Sequence, residues 1–271
     1  MQSLIAVAEI IRQVASEVIV PRFRDLRPED IVEKNPGDLV TIADRDSEYH
    51  LSHRLVDFMP GSKILGEEMA YLTPTAYEVL NGIEPVWVID PIDGTGNFAK
   101  GDERFAVIIA LVRQRTVEAG WIYEPISGRT VAAERQKGCW NLGAQVEKLG
   151  FSTSLPHHQA VGAVYGKRTV GSGDHEISLV ELVEKSPEVG STKQYNSGGV
   201  EYNAIAMNDI AYSLHSRSYP WDHAAGALMV EEAGGVAKFL DGSPYDPYII
   251  DREILAAQSG ALFDTVQRLV R

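Results

Sequence analysis

Apolar residues recur at helical spacing through the opening stretch MQSLIAVAEIIRQVASEVIV, which predicts an amphipathic helix ended by Pro21. EKNPGDLVTIAD reads as a turn leading into a short strand, and DSEYHLSHRLVDFM returns to the helical period. KILGEE and PVWVID follow as short strands, each finishing in acids. RFAVIIALV, TVEAGWIYEP and TVAAERQKGCW then read as three successive strands, with turns at Arg113 to Arg115 and around Ser127-Gly128, predicting an antiparallel sheet.

The pattern breaks near residues 150 to 157, at Gly150 and the SLPHH segment, and changes character beyond it. AVGAVYG, DIAYSLHS and ILAAQSG read as strands of a second sheet. HEISLVELVEK, GGVEYNAIAMN and ALFDTVQRLV read as helices, as does WDHAAGALMVEEAGG, which starts at Asp222 and stops at Gly234-Gly235. The chain therefore divides into an α+β half, residues 1–152, and an α/β half, residues 153–271.

Composition narrows the function classes. A chain of 271 residues with 44% hydrophobic content buries a substantial core. The first segment has no basic leader and carries Glu9, Arg12 and Glu17, so it reads as neither signal peptide nor membrane span. The single cysteine, Cys139, excludes an internal disulfide framework and fits a cytoplasmic, reducing compartment, or is simply an inert buried thiol. With 25 Lys+Arg against 38 Asp+Glu, the net charge of -13 disfavours direct binding to nucleic acid.

The candidate chemistry lies in VIDPIDGTGNF, residues 88 to 98. Asp before Pro or Gly is common turn chemistry and Asp at a helix start is a common cap, so Asp44, Asp90, Asp93 and Asp222 are each uninformative alone. The combination in DPIDGT is informative, because two carboxylates about 4 Å apart repel by about 4 kcal/mol at an effective dielectric near 20. A hard cation resolves that repulsion, and oxygen-only ligands select Mg²⁺, Mn²⁺ or Ca²⁺ over zinc. The tail Gly94-Thr95-Gly96 adds backbone N–H groups able to approach an anion, which points to phosphoryl chemistry.

These residues carry a resemblance to the inositol monophosphatase family of Mg²⁺-dependent, lithium-sensitive phosphatases. DPIDGTGNF resembles its central motif, GEE at 66 to 68 its upstream acid pair, and WDHAAG at 221 to 226 its downstream motif. TIADRDSE at 41 to 48 is similar to its Thr, Asp, Glu spacing, and EEAGG at 231 to 235 extends the order over most of the chain. The resemblance implies a layered αβαβα sandwich of the inositol monophosphatase and fructose-1,6-bisphosphatase type, with the site between the halves.

It also implies roles. Glu67, Asp90 and the carbonyl of Ile92 would hold one Mg²⁺; Asp90, Asp93 and Asp222 a second; a third, weaker ion would sit near Glu67, with Mn²⁺ as a substitute. Glu68 would support these ligands from behind, and Asp93, Gly94 and Thr95 would face the phosphate. Asp44 would orient Thr95, whose hydroxyl positions the attacking water. The implied reaction is in-line hydrolysis of a small phosphorylated polyol or sugar, without a covalent phosphoenzyme, by a homodimer. An aspartyl-nucleophile plan would show DxDxT, whereas two residues separate Asp90 from Asp93 here.

Departures bear on the substrate. His215 stands seven residues before Asp222, where inositol-specific members carry a Glu. A neutral His binds a hydroxyl, a protonated one favours an anion, and one that merely shields the cleft wall does neither. The resemblance implies histidinol phosphate, sugar phosphates and phosphoadenosine, which relatives handle, as alternative substrates, and a regulatory role beside the transcription machinery, which some relatives have, as the alternative from another class. NFAKGDERF, which has no Pro where the family's NFxxGxPxF pattern carries one, places Lys100 and Arg104 near the site mouth, as solvated charges or phosphate contacts. SGGVEYNA resembles the family's Gly and Ala substrate loop, with Gly198 and Gly199 unassigned; His50 with His53 lack a third zinc ligand, His157 with His158 read as a linker pair, Trp221 reads as core packing, and GSGDHE at 171 is too weak a glycine pattern for a nucleotide site.

Overall fold

The computed structural model describes residues 1–36, 38–73, 75–151, 156–166, 169–170 and 177–271. Helix α1 (Gln2–Val14) buries Leu4, Val7, Ala8, Ile11 and Val14 along one stripe. Regular α geometry stops there, before the predicted end at Pro21, and widens into a π turn over Ala15–Ile19. Pro21 lies at the start of a 3₁₀ turn, Val20–Arg22, where its missing N–H leaves no bond unmade. Strands β1 (Ile31–Asn35) and β2 (Asp38–Thr41) then form an antiparallel hairpin, of which the apolar pattern showed only the second. Helix α2 (Ile42–Phe58) begins four residues before the stretch that the period marked. The reason is local: Thr41 Oγ1 accepts from Ala43 N at 3.1 Å, and the Asp44 carboxylate returns to Thr41 N at 2.8 Å, a reciprocal cap.

Among the described residues seven strands form the first sheet, ordered as in the chain: β3 (Lys63–Gly66), β4 (Val86–Asp93), β5 (Ala106–Arg113), β6 (Thr116–Tyr123), β7 (Thr130–Glu134), β8 (Gly138–Leu142) and β9 (Val146–Leu149). All neighbours are antiparallel except β3 and β4, which run parallel. TVAAERQKGCW is two strands rather than the predicted one. The chain reverses at Gln136 and Gly138, both with positive φ, so its apolar ends pair with each other as β7 and β8. Helix α3 (Glu67–Leu72) takes up the acids expected at the end of a strand, and short α4 (Thr95–Ala99) follows β4. VWVI reads as a continuous apolar run because β4 is buried on both faces: Trp87 and Ile89 pack towards α1 and α2, Val86 and Val88 the other way.

Next come β10 (Gly162–Tyr165), the small hairpin of β11 (Thr169–Val170) and β12 (Ile177–Ser178), α5 (Leu179–Glu184) and β13 (Thr192–Lys193). Then follow α6 (Gly198–Ala206), β14 (Tyr212–His215), α7 (Pro220–Glu232), β15 (Val236–Phe239), β16 (Ile254–Ala257) and α8 (Gly260–Val270). The second sheet runs β13-β10-β14-β16-β15. Helix α7 starts at Pro220, two residues before the expected Asp222, and is buried almost all round because both sheets pack on it. Helix α6 lies beside it, while α5 and α8 cover the outer face of the second sheet through Leu179, Val183, Leu262, Phe263 and Val266.

The layers are thus α1/α2, first sheet, α6/α7, second sheet, α5/α8: an αβαβα sandwich. The expected boundary between residues 152 and 153 lies outside the described residues, as does GSGDHE at 171 to 176. Among the described residues no helix is long and apolar enough to cross a membrane. Cys139 is buried on β8, and burial pushes its thiol up to about 12, so it is chemically quiet.

Candidate metal and phosphate site

In a regular strand, residues three apart point to opposite faces. Asp90 pairs with Ile108 and Asp93 with Ala106, so β4 spends one more residue than β5 across this step. That bulge turns Asp93 to the side of Asp90. Helix α7 delivers Asp222 in its first turn to the same place, and carboxylate oxygens of Asp90, Asp93 and Asp222 lie within 4.8 Å of one another.

Burial and mutual repulsion govern the cluster. Burial, then Glu67, Asp93 and Asp222, hold the Asp90 carboxyl well above its ordinary range; burial, Asp93 and Glu67 do the same for Asp222. Asp93 is also raised by burial but is held back by three donors: the Ser197 hydroxyl, Gly199 N at 2.7 Å and Gly198 N at 3.2 Å. No ion pair among the described residues involves Asp90, Asp93 or Asp222. Oxygen-only donors, closely spaced and without a protein cation among them, fit a hard divalent ion.

Glu67 and Glu68 sit in the first turn of α3, beside this cluster, and they do have a cation. Lys34, from the β1–β2 hairpin, is buried with Nζ 2.9 Å from Glu67 Oε1 and 2.9 Å from Glu68 Oε1. Burial raises Glu67 while Lys34 opposes that shift. The sequence signal for Lys34 was weak, since a lysine in a turn is ordinarily a solvated charge.

Asp44 ties the first turn of α2 to the loop after β4. Its Oδ2 accepts from Thr41 N at 2.8 Å and Thr41 Oγ1 at 2.5 Å, and its Oδ1 lies 3.0 Å from Thr95 Oγ1. Burial lifts Asp44 to about 7 against these hydrogen bonds. Thr95 Oγ1 is also 2.9 Å from the carbonyl of Ile92. One hydroxyl carries one proton, so it donates to Asp44 or to Ile92 but not fully to both. Gly94 precedes α4 with φ +86°, and a Cβ there would lie 3.0 Å from Ser197 Cβ and 3.1 Å from Arg104 O. Both constraints demand glycine. Gly94→Ala is expected to cost about 1–2 kcal/mol in backbone strain alone and to lower kcat/KM about tenfold by shifting Thr95; a variant with wild-type Tm and wild-type turnover would contradict the constraint.

His215 on β14 is buried, with Nε2 3.1 Å from Glu201 Oε2, its ring stacked on Tyr202 and edge-on to His223. Its Cε1 lies 3.8 Å from where a Gly198 Cβ would be, beside the loop that holds Asp93. Glu201 and Ser197 took no role in the sequence reading, although both lie in the SGGVEYNA loop and Ser197 caps α6 through Val200 N. Arg104 is bound to Asp102 and to Gln194 O at the surface, and Lys100 is exposed. His50 and His53 are exposed on α2, His157 meets Thr265 at 3.0 Å, and Trp221 is buried in stacked contact with Tyr219.

A layered fold with this acid cluster at its centre defines the chain as a phosphoric monoester hydrolase by class. The chain belongs to the Inositol monophosphatase family, whose sequence model matches residues 1–271. An inositol-1-monophosphatase of Mesorhizobium japonicum is 32% identical over 77% of this chain and 75% of its own length. A fructose-1,6-bisphosphatase/inositol-1-monophosphatase of Aquifex aeolicus is 29% identical over 90% of this chain and 88% of its own. Among solved structures, the extragenic suppressor protein suhB of Bartonella henselae superposes with a TM-score of 0.78 at 26% identity, covering 98% of each chain.

Proposed function

We propose that the protein is a Mg²⁺-dependent phosphomonoesterase acting on a small phosphorylated polyol or sugar. The observation that carries this reading is the meeting of Asp90, Asp93 and Asp222, oxygens within 4.8 Å, beside the glycine turn that opens α4. Asp90, Asp93 and Asp222 would hold one ion, and Glu67, Asp90 and the Ile92 carbonyl another, with a third near Glu67. Bound Mg²⁺, or Mn²⁺ in its place, would acidify a water and neutralise the leaving alkoxide.

The chain's own groups supply position and charge. With the Ile92 carbonyl committed elsewhere, the Thr95 hydroxyl donates its hydrogen bond to Asp44 Oδ1, and its lone pairs are left to accept a hydrogen bond from a water and so orient it. The N–H groups of Gly94 and Thr95, where the chain turns into α4, would face a phosphate oxygen. Lys34 holds Glu67 and Glu68 together, so Glu68 acts on the site through that ammonium. The Glu201–His215 pair is the candidate for discrimination among leaving groups. A net charge of -13 opposes RNA as a partner, and a homodimer in the cytoplasm is proposed on the family resemblance.

The test is a panel of inositol, sugar, histidinol and adenosine phosphates with Mg²⁺, with chelator and with lithium, on the wild type and His215→Gln. Phosphate release is expected to need Mg²⁺ and to fall with lithium, and His215→Gln should move KM by about threefold or more on the preferred ester with kcat nearly kept. Turnover indifferent to chelator would end the proposal; unchanged ester preference would remove His215 from the substrate side.

A further inference from the structure

We propose that Glu48 is a positioning residue of this site: its buried carboxylate reaches from α2 and clamps the first turn of α3, fixing where Glu67 and Glu68 point. The proposal rests on the metal-site reading above for the importance of Glu67. Gly66 stands just before α3, at its N-cap position, and has no side chain with which to cap it. The first N–H groups of the helix would otherwise go unpaired. Glu48 Oε2 accepts from Glu68 N at 2.8 Å and Glu48 Oε1 from Met69 N at 3.0 Å, a two-pronged cap delivered by another helix.

Gly66 and Glu48 are two halves of one contact. Gly66 has φ -95° and ψ 155°, a conformation open to any residue, so the backbone does not require glycine. Space does. A Cβ on Gly66 would lie 2.2 Å from Glu48 Cδ and 2.3 and 2.6 Å from its two oxygens. The glycine that opens GEE leaves room for the glutamate that closes TIADRDSE.

A serine or aspartate at the helix start would cap α3 without burying a distant carboxylate. Such a local cap would not tie α3 to α2. Among the described residues no ion pair involves Glu48, so its charge is unrelieved by any cation, and the tie persists at that cost. Asp44 lies one turn before Glu48 on α2 and reaches Thr95 Oγ1 at 3.0 Å. One rigid turn of α2 therefore sets the separation between Thr95 and the α3 acids.

The experiment measures Mn²⁺ binding by calorimetry without substrate, together with kcat and the Mg²⁺ requirement, for Glu48→Gln, Gly66→Ala, Glu48→Ala and the Glu48→Ala/Gly66→Ala double variant. Glutamine keeps the shape but turns an amide N–H₂ on one of the two donors, and Gly66→Ala pushes the carboxylate off without removing it. Both are expected to weaken Mn²⁺ binding about tenfold or more, the usual effect of losing a group that orients metal ligands. At saturating Mg²⁺ their kcat should stay within about twofold of wild type. The double variant should bind Mn²⁺ no more weakly than Glu48→Ala, because the added methyl then meets nothing it can displace.

Variants with a lowered Tm but wild-type Mn²⁺ affinity would make Glu48 a plain stabilising contact and overturn the proposal. So would a kcat lost at every Mg²⁺ concentration with an unchanged metal requirement. A wild type that takes up no Mn²⁺ overturns the proposal together with the reading beneath it. A wild type that binds Mn²⁺ but releases no phosphate removes the phosphatase reading alone, and the Mn²⁺ comparison still decides the role of Glu48.

Discussion

Asp90→Asn should lower kcat/KM by about a thousandfold and, in the same protein, raise the melting temperature of the metal-free form at pH 8. The first effect follows from Asp90's place in both proposed ligand sets. Losing about 4 kcal/mol of charge stabilisation in the transition state, at tenfold per about 1.4 kcal/mol, gives about three orders of magnitude. The second follows from repulsion. Each pair of carboxylates in the Asp90, Asp93, Asp222 cluster, with oxygens within 4.8 Å, costs about 3–4 kcal/mol at an effective dielectric near 20 when both are charged. Burial and these neighbours hold Asp90 protonated well above its ordinary range, so the folded chain must take up a proton that the unfolded chain does not. Asparagine carries no such demand, and its side-chain oxygen keeps the geometry that Asp90 Oδ1 has with Ile92 N at 3.0 Å. Steady-state kinetics and thermal melts in chelator check both; a variant with more than about a tenth of wild-type kcat/KM would remove Asp90 from the site.

The metal-free protein should also lose stability as pH rises from about 4 to 7, and saturating Mg²⁺ should offset part of that loss. Asp44 and Glu48 are lifted by burial to about 7, from 3.8 and 4.5, while Asp90, Asp93, Asp222 and Glu67 are raised as well. For an acid with a raised folded-state value, the native state holds more protons than the unfolded state between the two values. The stabilisation is complete below the unfolded value and disappears as pH climbs through the folded one. Divalent ions need the carboxylates ionised, so their binding strengthens over the same window. Mg²⁺ about a hundredfold above its Kd adds about 2.7 kcal/mol, worth about 5 °C or more at about 2 °C per kcal/mol. Melts at pH 5 and pH 8, with chelator and with Mg²⁺, test this. A chelated Tm that does not fall, or a Mg²⁺ increment equal at both pH values, would show that the acid cluster is not what binds the ion.

Much of the frame was legible because it is written locally. The helical period of α1, the apolar run of β4 and the small and apolar residues along α7 each follow from residues within a few turns of one another. Where the reading failed, a short-range signal outweighed it. Thr41 and Asp44 cap α2 earlier than its apolar period begins. The reversal at Gln136 and Gly138 splits one polar-centred run into β7 and β8. Strand β9, with its exposed VEKL, has no apolar face to announce it and exists because β8 offers it an edge.

The sequence by itself determined the kind of chemistry: carboxylates, a glycine turn and a threonine in an order that suits a hard cation and a phosphate. Those features are carried by residue type and short spacing, which survive any packing. The tertiary structure alone decided what each acid meets. The bulge in β4 turns Asp93 towards Asp90, α7 carries Asp222 to them across the layers, Lys34 settles on Glu67 and Glu68, and Ser197 with its two glycines holds Asp93. Each of these contacts joins segments far apart in the chain, where no local propensity acts and only the stacking of sheets and helices sets the distance.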